Sequence, residues 1–293
     1  MANSIEYAQK FVPIIDAVYK GASVTNGMDA ATRPDFSGTN EVKVLKVSTT
    51  GLGDYSRENG YPKGDVTAAW ETLQLTEERG KEISVDRMEN EETLGLTFGA
   101  VTGDFMRLNV IPELDAYRFA KYASNANISK ATAAALTKDT ILPAIDEASR
   151  QMDADEVPLE GRRLYVSSDL KPVLNSAITR MFGSDSGVSN VLSGYNGMPI
   201  VYVPKTRFYT AITLNPGVSN WGYTKATAAL DINFMMIYPD AILQVVKFAL
   251  PKIFDPDTNQ DKDAWKFQFR EYHDAFVYDN KAKGVYLHAK PAT

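Results

Sequence analysis

Residues 41–47 read EVKVLKV, with Val42 and Val44 set between charges. That alternation predicts a half-exposed strand. The stretch TTGLGDYSRENGYPKGD follows, and its Gly51, Gly53, Gly60, Pro62 and Gly64 exclude helix and regular strand. ETLQLTEE and KEISVDR then resume a period of two. The simplest arrangement is a long β-hairpin over about residues 41–86, with largely polar faces. A two-stranded ribbon with so little apolar surface is marginal alone. It calls for a partner surface, expected to be another copy of the chain.

The period changes after residue 87. Leu94, Phe98, Val101, Phe105 and Leu108 step by three or four, a helical stripe. Gly95, Gly99 and Gly103 repeat on another face. Each glycine costs about 1 kcal/mol of helix stability relative to alanine, so the ridge predicts a backbone or bulky ring packed close against it. Pro112 interrupts or restarts the helix, and PELDAYRFAKYASNA continues it. A long bent helix over about 88–124 results.

Downstream, helix and strand alternate. Leu136, Ile141, Ile145, Ala148 and Met152 define one amphipathic helix, with Pro143 in its early turns. RRLYVS and PIVYVP are short strands. Between them, Ser167 and Ser168 are positioned to cap a helix through Met181, buried along Leu170, Leu174 and Ile178. FGSDSGVSNVLSGYNG and NPGVSNWG read as loops, and residues 206–230 carry no other clear pattern. INFMMIYP is a buried-looking strand, LQVVKFALPKIF an extended one, and GVYLHA the last. WKFQF alternates rings with polar residues, and REYHDAFVYD continues it through a change of register. The class is α+β. Residues 1–40 read as an arm: Ile5, Ala8, Phe11, Ile14 and Ile15 suit a short amphipathic helix, and the following small polar residues order only by lying on something else.

Composition narrows the function. The chain has 293 residues, a formal net charge of -6 and no cysteine. Disulfides, thiolate catalysis and Cys-ligated metal sites are excluded. A mildly acidic chain is not built to wrap nucleic acid, whose backbone demands clustered Lys and Arg. The first residues lack the apolar core of a signal peptide, and no run approaches the roughly 20 apolar residues of a membrane helix. The expected site of synthesis and assembly is a cytoplasm.

Candidate chemistry is sparse. DPDTNQDKD, residues 255–263, places an oxygen-bearing side chain at every second position, as a calcium loop does. Its sixth position is Gln260 instead of glycine and its twelfth is Lys266 instead of glutamate, so a solvated strand connection is the better reading. Asp185-Ser186-Gly187 lacks the glycines flanking a serine nucleophile, and turn formation explains it better. His273 suits a strand position more than a general base. Glu89, Glu91 and Glu92 fit the positive end of a helix dipole. There is no phosphate-cradling loop and no dinucleotide fingerprint. A binding or structural protein is favoured over an enzyme, with no cofactor.

The order of elements carries a resemblance. MENEETLGLTFGAVTGDFMRLNVIPELDAYRFAKY (88–122) and FMMIYPDAILQVVKFALPKIFDPDTNQDKDAWKFQFREYHDAFVYDN (234–280) look like segments of coat proteins from phages of Gram-positive bacteria. Nearly the whole chain resembles the major capsid proteins of tailed bacteriophages, whose fold is named for phage Hong Kong ninety-seven. The resemblance implies an N-terminal arm (1–40), an extended loop lying over a neighbouring subunit (41–86) and the spine helix of a peripheral domain (87–132). An α/β axial domain (133–240) and peripheral-domain strands with the C-terminus (241–293) would complete the chain.

It further implies assembly with itself, as pentamers and hexamers, into an icosahedral shell enclosing double-stranded DNA without sequence-specific binding. Portal and head-completion proteins would be partners, and no membrane is involved. Some family members carry a cleaved helical scaffold segment; this chain starts almost directly with the arm, so a separate scaffolding protein is expected. Tyr55, Arg57, Glu58, Tyr61 and Lys63 at the hairpin tip and Gly95, Gly99 and Gly103 on the helix are the candidate assembly contacts. Some members cross-link a loop lysine, but no motif marks Lys63 as such a donor. The rival readings are an encapsulin-like nanocompartment shell and, from another class, a calcium-dependent binding protein.

Overall fold

The computed structural model describes residues 23–28, 41–58, 60–92, 96–177 and 194–292. In chain order the strands and helices begin with β1 (Glu41–Thr49), β2 (Val66–Gln74), β3 (Glu77–Asp86), α1 (Arg87–Glu92) and α2 (Leu96–Phe105). A π turn, Met106–Val110, leads into α3 (Ile111–Ser124). Next come β4 (Ser129–Lys130), α4 (Ile141–Ala154), β5 (Arg163–Ser167), α5 (Lys171–Ala177), β6 (Gly194–Tyr195) and β7 (Met198–Val203). The remaining strands are β8 (Ile212–Leu214), β9 (Tyr223–Lys225), β10 (Ile232–Ile237), β11 (Ile242–Phe254), β12 (Ala264–Val277) and β13 (Val285–Ala289). The chain divides into a hairpin unit, residues 31–77, and a larger unit of residues 1–30 and 78–293.

In the larger unit a six-stranded mixed sheet runs β4-β13-β10-β5-β7-β6. All six residues of β10 are buried, because the sheet is covered on both faces. Met235 and Ile237 point one way, to Phe119 and Tyr122 of α3 and to Phe208. Phe234 and Met236 point the other way, to Ile141, Ile145 and Met152 of α4 and Leu174 of α5. Strict period-two geometry thus turns a continuous apolar run into two cores. Each such side chain contributes about 1.5–3 kcal/mol on full burial.

A second sheet runs β11-β12-β3. Here the expected hairpin over 41–86 is corrected. β1 pairs with β2 and the ribbon closes at Gln74, while the KEISVDR segment leaves it as β3 to join β12. The physical reason is burial: Val85 of β3 packs with Phe267 and Phe269 of β12 and Met106 of the π turn. β3 approaches β12 so closely that a Cβ at Gly80 would lie 2.9 Å from the Phe269 carbonyl oxygen. The expected register change falls on β11, between Val246 and Phe248, opposite His273 and Tyr272.

The bent helix has an identifiable joint. Pro112 has no N–H to donate and would crowd the preceding turn. The turn before it widens, and the Ile111 N–H donates to the Met106 carbonyl, five residues back. At the start of α1 the Asp86 carboxylate accepts from the Met88 N–H at 2.9 Å, and Glu89 follows in the first turn. One capping expectation is corrected. Ser167 makes no side-chain cap, and the Ser168 hydroxyl accepts from the Lys205 N–H at 3.3 Å instead. The helix expected to reach Met181 is described only to Ala177; its Ile178 and the Asp185-Ser186-Gly187 loop lie outside the described residues, as does the helix placed on residues 5–15.

Residues 23–28 do not wait for another subunit. Met28 sits fully buried in the core with Phe119 and Tyr165. Asp115 of α3, wholly buried, accepts bonds from the Ser23 and Thr25 hydroxyls at 2.7 and 2.8 Å and from the Val24 and Thr25 N–H groups. Arg207 closes the cage with an ion pair at 3.2 Å.

Candidate assembly interface

The hairpin unit presents the largest departure from the sequence reading. The register sets Leu45 opposite Trp70, Val47 opposite Ala68 and Thr49 opposite Val66. Residues two apart share a face of a strand, so Leu45, Val47, Val66, Ala68 and Trp70 form one apolar surface. The expectation of largely polar faces therefore fails on this side. Leu45 is 49%, Val47 53%, Val66 70% and Trp70 64% exposed. A contiguous patch of this kind, with a tryptophan at one end, is what protein contacts cover. The alternation of Leu45 with Val47, and of Val66 with Ala68 and Trp70, was the readable signal for it.

The tip residues proposed from the sequence as assembly contacts are exposed in the single chain. Tyr55 and Tyr61 pack edge to face, 5.0 Å between ring centres, and remain 59% and 85% exposed. Ser56 and Gly60 exchange backbone bonds that close the tip. Arg57, Glu58 and Lys63 are exposed beside them. Gly95 lies outside the described residues. Gly99 and Gly103 are half-buried on α2. A Cβ added at Gly103 would meet nothing within 4 Å among the described residues, so none of them supplies the backbone or ring expected against the ridge there.

The acidic run 255–263 joins β11 to β12, and its oxygens face different partners. Asp255 is turned inward and accepts from the Thr258 N–H at 2.8 Å and hydroxyl at 2.6 Å. The Asn259 amide donates to the Ala264 carbonyl at 2.9 Å. Asp257 and Asp263 flank Arg87 at 3.1 and 3.5 Å, and Asp261 pairs with Lys266. The Arg87 pairs fasten the loop to the start of α1, and the Lys266 pair fastens it to β12. Among the described residues no group of three or more His, Cys, Asp or Glu is arranged to hold a metal. Calcium titration is expected to give no binding heat and no change in Tm; a saturable heat lost on changing Asp257 and Asp261 to Asn would restore the calcium reading.

His273 is on β12, as the sequence placed it, with its ring edge-on to Tyr117 at 5.2 Å. Burial, and then the cation of Arg118, push its imidazole down to about 3; Arg79 and Lys121 add to this and Asp274 opposes it. The unfolded chain therefore takes up this proton near pH 6.5 while the folded chain does not. Stability is full above that pH and falls by up to about 1.4 kcal/mol per unit below it, until the folded group titrates near 3. Denaturant unfolding at pH 6.5 and 5 is expected to show this slope, and His273→Gln to flatten it. An unchanged slope in the variant would assign the effect to other groups.

No family model matches the chain, and a search of curated proteins finds no match. Solved structures do match in fold. A structure of Mycobacterium phage Che8 aligns with TM-score 0.60 at 15% identity, over 86% of this chain and 85% of that one. The capsid of cyanophage P-SCSP1u aligns with TM-score 0.61 at 13% identity, over 90% and 88%. A virus-like particle from Pyrococcus furiosus aligns with TM-score 0.58 at 12% identity, over 98% and 100%. The chain thus has the α+β fold of phage capsid structures.

Proposed function

We propose that the chain is the major subunit of an icosahedral shell that encloses phage double-stranded DNA. The observation that carries this is the fold match to capsid structures over nearly the full length of both partners. The exposed apolar face of the hairpin supports it, because a neighbouring copy would cover that face. In this scheme residues 1–40 form the arm and 41–86 the extended loop and its base. Residues 87–132 form the spine helix, 133–240 the axial domain, and 241–293 the peripheral strands and C-terminus. The hairpin lies over the next subunit, and pentamers and hexamers close the shell with scaffolding, portal and head-completion partners. The role is structural, the chain is not an enzyme, and it resides in the virion after assembly in the host cytoplasm. A net charge of -6 suits a wall that does not hold DNA down.

A nanocompartment shell of the encapsulin type is the second reading, favoured by the end-to-end match to the Pyrococcus particle. Particle contents distinguish the two. Particles from infected or induced cells are expected to yield nuclease-protected double-stranded DNA of uniform length. Particles holding one co-purifying protein and no protected DNA would favour the nanocompartment.

A further inference from the structure

One concavity of the larger unit is left open by its own chain. It is a cavity of about 120 Å³ between β3, the end of α2, α3, β12 and the turn joining β8 to β9. Phe105, Val110, Leu114, Phe269 and Trp221 supply its apolar walls. Trp221 is 59% exposed, so its wall reaches the surface. The turn that carries this ring is held from two sides. Gly217 has a φ of +79°, and a Cβ there would lie 3.0 Å from the indole, so the ring lies on the glycine backbone. Arg79 donates to the Asn215 and Gly222 carbonyls, at 2.8 and 3.4 Å, and pairs with Glu113 at 2.5 Å. The cavity is thus formed before anything enters it, which lowers the ordering cost of a contact.

One charge of the lining lacks an opposite. The Lys81 ammonium sits over the Trp221 ring, 4.2 Å from its centre, and makes no ion pair among the described residues. The hairpin tip carries the complementary groups. Leu52 is fully exposed, so nothing in its own chain covers it. Gly51 and Gly53 stand on either side, so no adjacent side chain widens the segment. A Cβ at Gly53 would lie 3.2 Å from the Pro62 ring, which packs on this backbone and steadies it. Asp54 comes next, exposed and in no ion pair among the described residues.

We infer that the cavity is a socket for Leu52 from the hairpin tip of a second copy, with that copy's Asp54 paired to Lys81. The inference rests on the shell reading and names a contact within it. Size selects the leucine. A benzene ring takes an apolar cavity of roughly 150 Å³, so the rings of Tyr55 and Tyr61 are too large, whereas a four-carbon side chain fits about 120 Å³. Charge selects the segment. A single exposed leucine is ordinary, but this one has a free carboxylate two residues on, at most about 7 Å along the chain. That is the group the Lys81 ammonium lacks.

Two measurements test the socket. Leu52→Ser is expected to leave the Tm of the free subunit unchanged, because the side chain packs on nothing in its own chain. The concentration needed to form particles is expected to rise about tenfold. Asp54→Cys combined with Lys81→Cys gives a direct readout, since the chain has no cysteine of its own. Particles of this double variant, collected by sedimentation and treated with a short bismaleimide, are expected to run as a ladder of linked chains on a denaturing gel. Each single variant is expected to go no further than dimers. Particles that yield only unlinked or internally linked single chains would overturn the inference and leave the shell reading standing. So would Leu52→Ser particles that form at the parental concentration. An unaltered chain that forms no particles would overturn the shell reading itself, and the socket with it.

Discussion

Changing Leu45 and Trp70 together to Asp is expected to stop shell assembly while leaving the subunit folded. The two side chains face each other across β1 and β2 and are about half and two-thirds exposed in the single chain. Little intrachain packing is therefore lost, and hydrogen bonds between the strands use the backbone alone. Covering each side chain at a contact contributes about 1–3 kcal/mol. Two carboxylates in their place must be desolvated, which reverses the sign of the contact. The same patch repeats at every copy, so a modest local loss is multiplied over the whole shell. Sedimentation velocity should find soluble subunits or small oligomers in the variant and large particles in the unaltered protein. Normal particles from the variant would show that the patch is not an assembly contact. Lys63→Ala at the tip is a useful contrast, since an exposed lysine contributes little.

Asp115→Ala is expected to lower subunit stability by about 3–5 kcal/mol, near 10 °C in Tm, the range for breaking a buried ion pair from one side. Asp115 is fully buried and receives two hydroxyls, two backbone N–H groups and Arg207. Its loss leaves Arg207 and the two N–H groups without their acceptor. Because Asp115 receives four of the bonds that hold Ser23, Val24 and Thr25, with Arg118 donating one more to the Thr25 hydroxyl, residues 23–28 should also become more open to protease. Asp115→Asn keeps the shape and one acceptor oxygen and is expected to lose less. A variant as stable as the parent would mean that this cage is replaceable by water.

The longer strands and helices of the larger unit could be read from the sequence because each carries a clear period or a buried apolar run, whereas the two- and three-residue strands β4, β8 and β9 are too short to show one. INFMMI was recognisable as a buried strand, and its alternate residues fill two different cores. The bend at Pro112 followed from a missing N–H. Partnership was much less legible. The alternation in KEISVDR marks β3 as a strand but not that its mate is β12, nearly two hundred residues away, instead of β2. The same limit hid the apolar face of the hairpin. Alternation puts Leu45 with Val47, and Val66 with Ala68 and Trp70, but only the register sets the two groups on one side of the ribbon. Asp115, Arg79 and Glu113 gave no signal, since a lone charge on a helix or strand is usually solvated. Their roles arise from contacts with residues 23–25 and 207–222 that no local pattern encodes. The acidic run 255–263 was legible in its failure to match a calcium loop, and the pairing of its acids with Arg87 and Lys266 gives the positive reason for them.

Electron microscopy of the purified protein, alone and with a co-expressed scaffold, tests the shell directly. Uniform hollow particles with fivefold and sixfold clusters are expected, with each hairpin's Leu45 and Trp70 face covered by a neighbouring copy. Subunits that stay monomeric under every condition, or particles in which that face remains open to solvent, would contradict it.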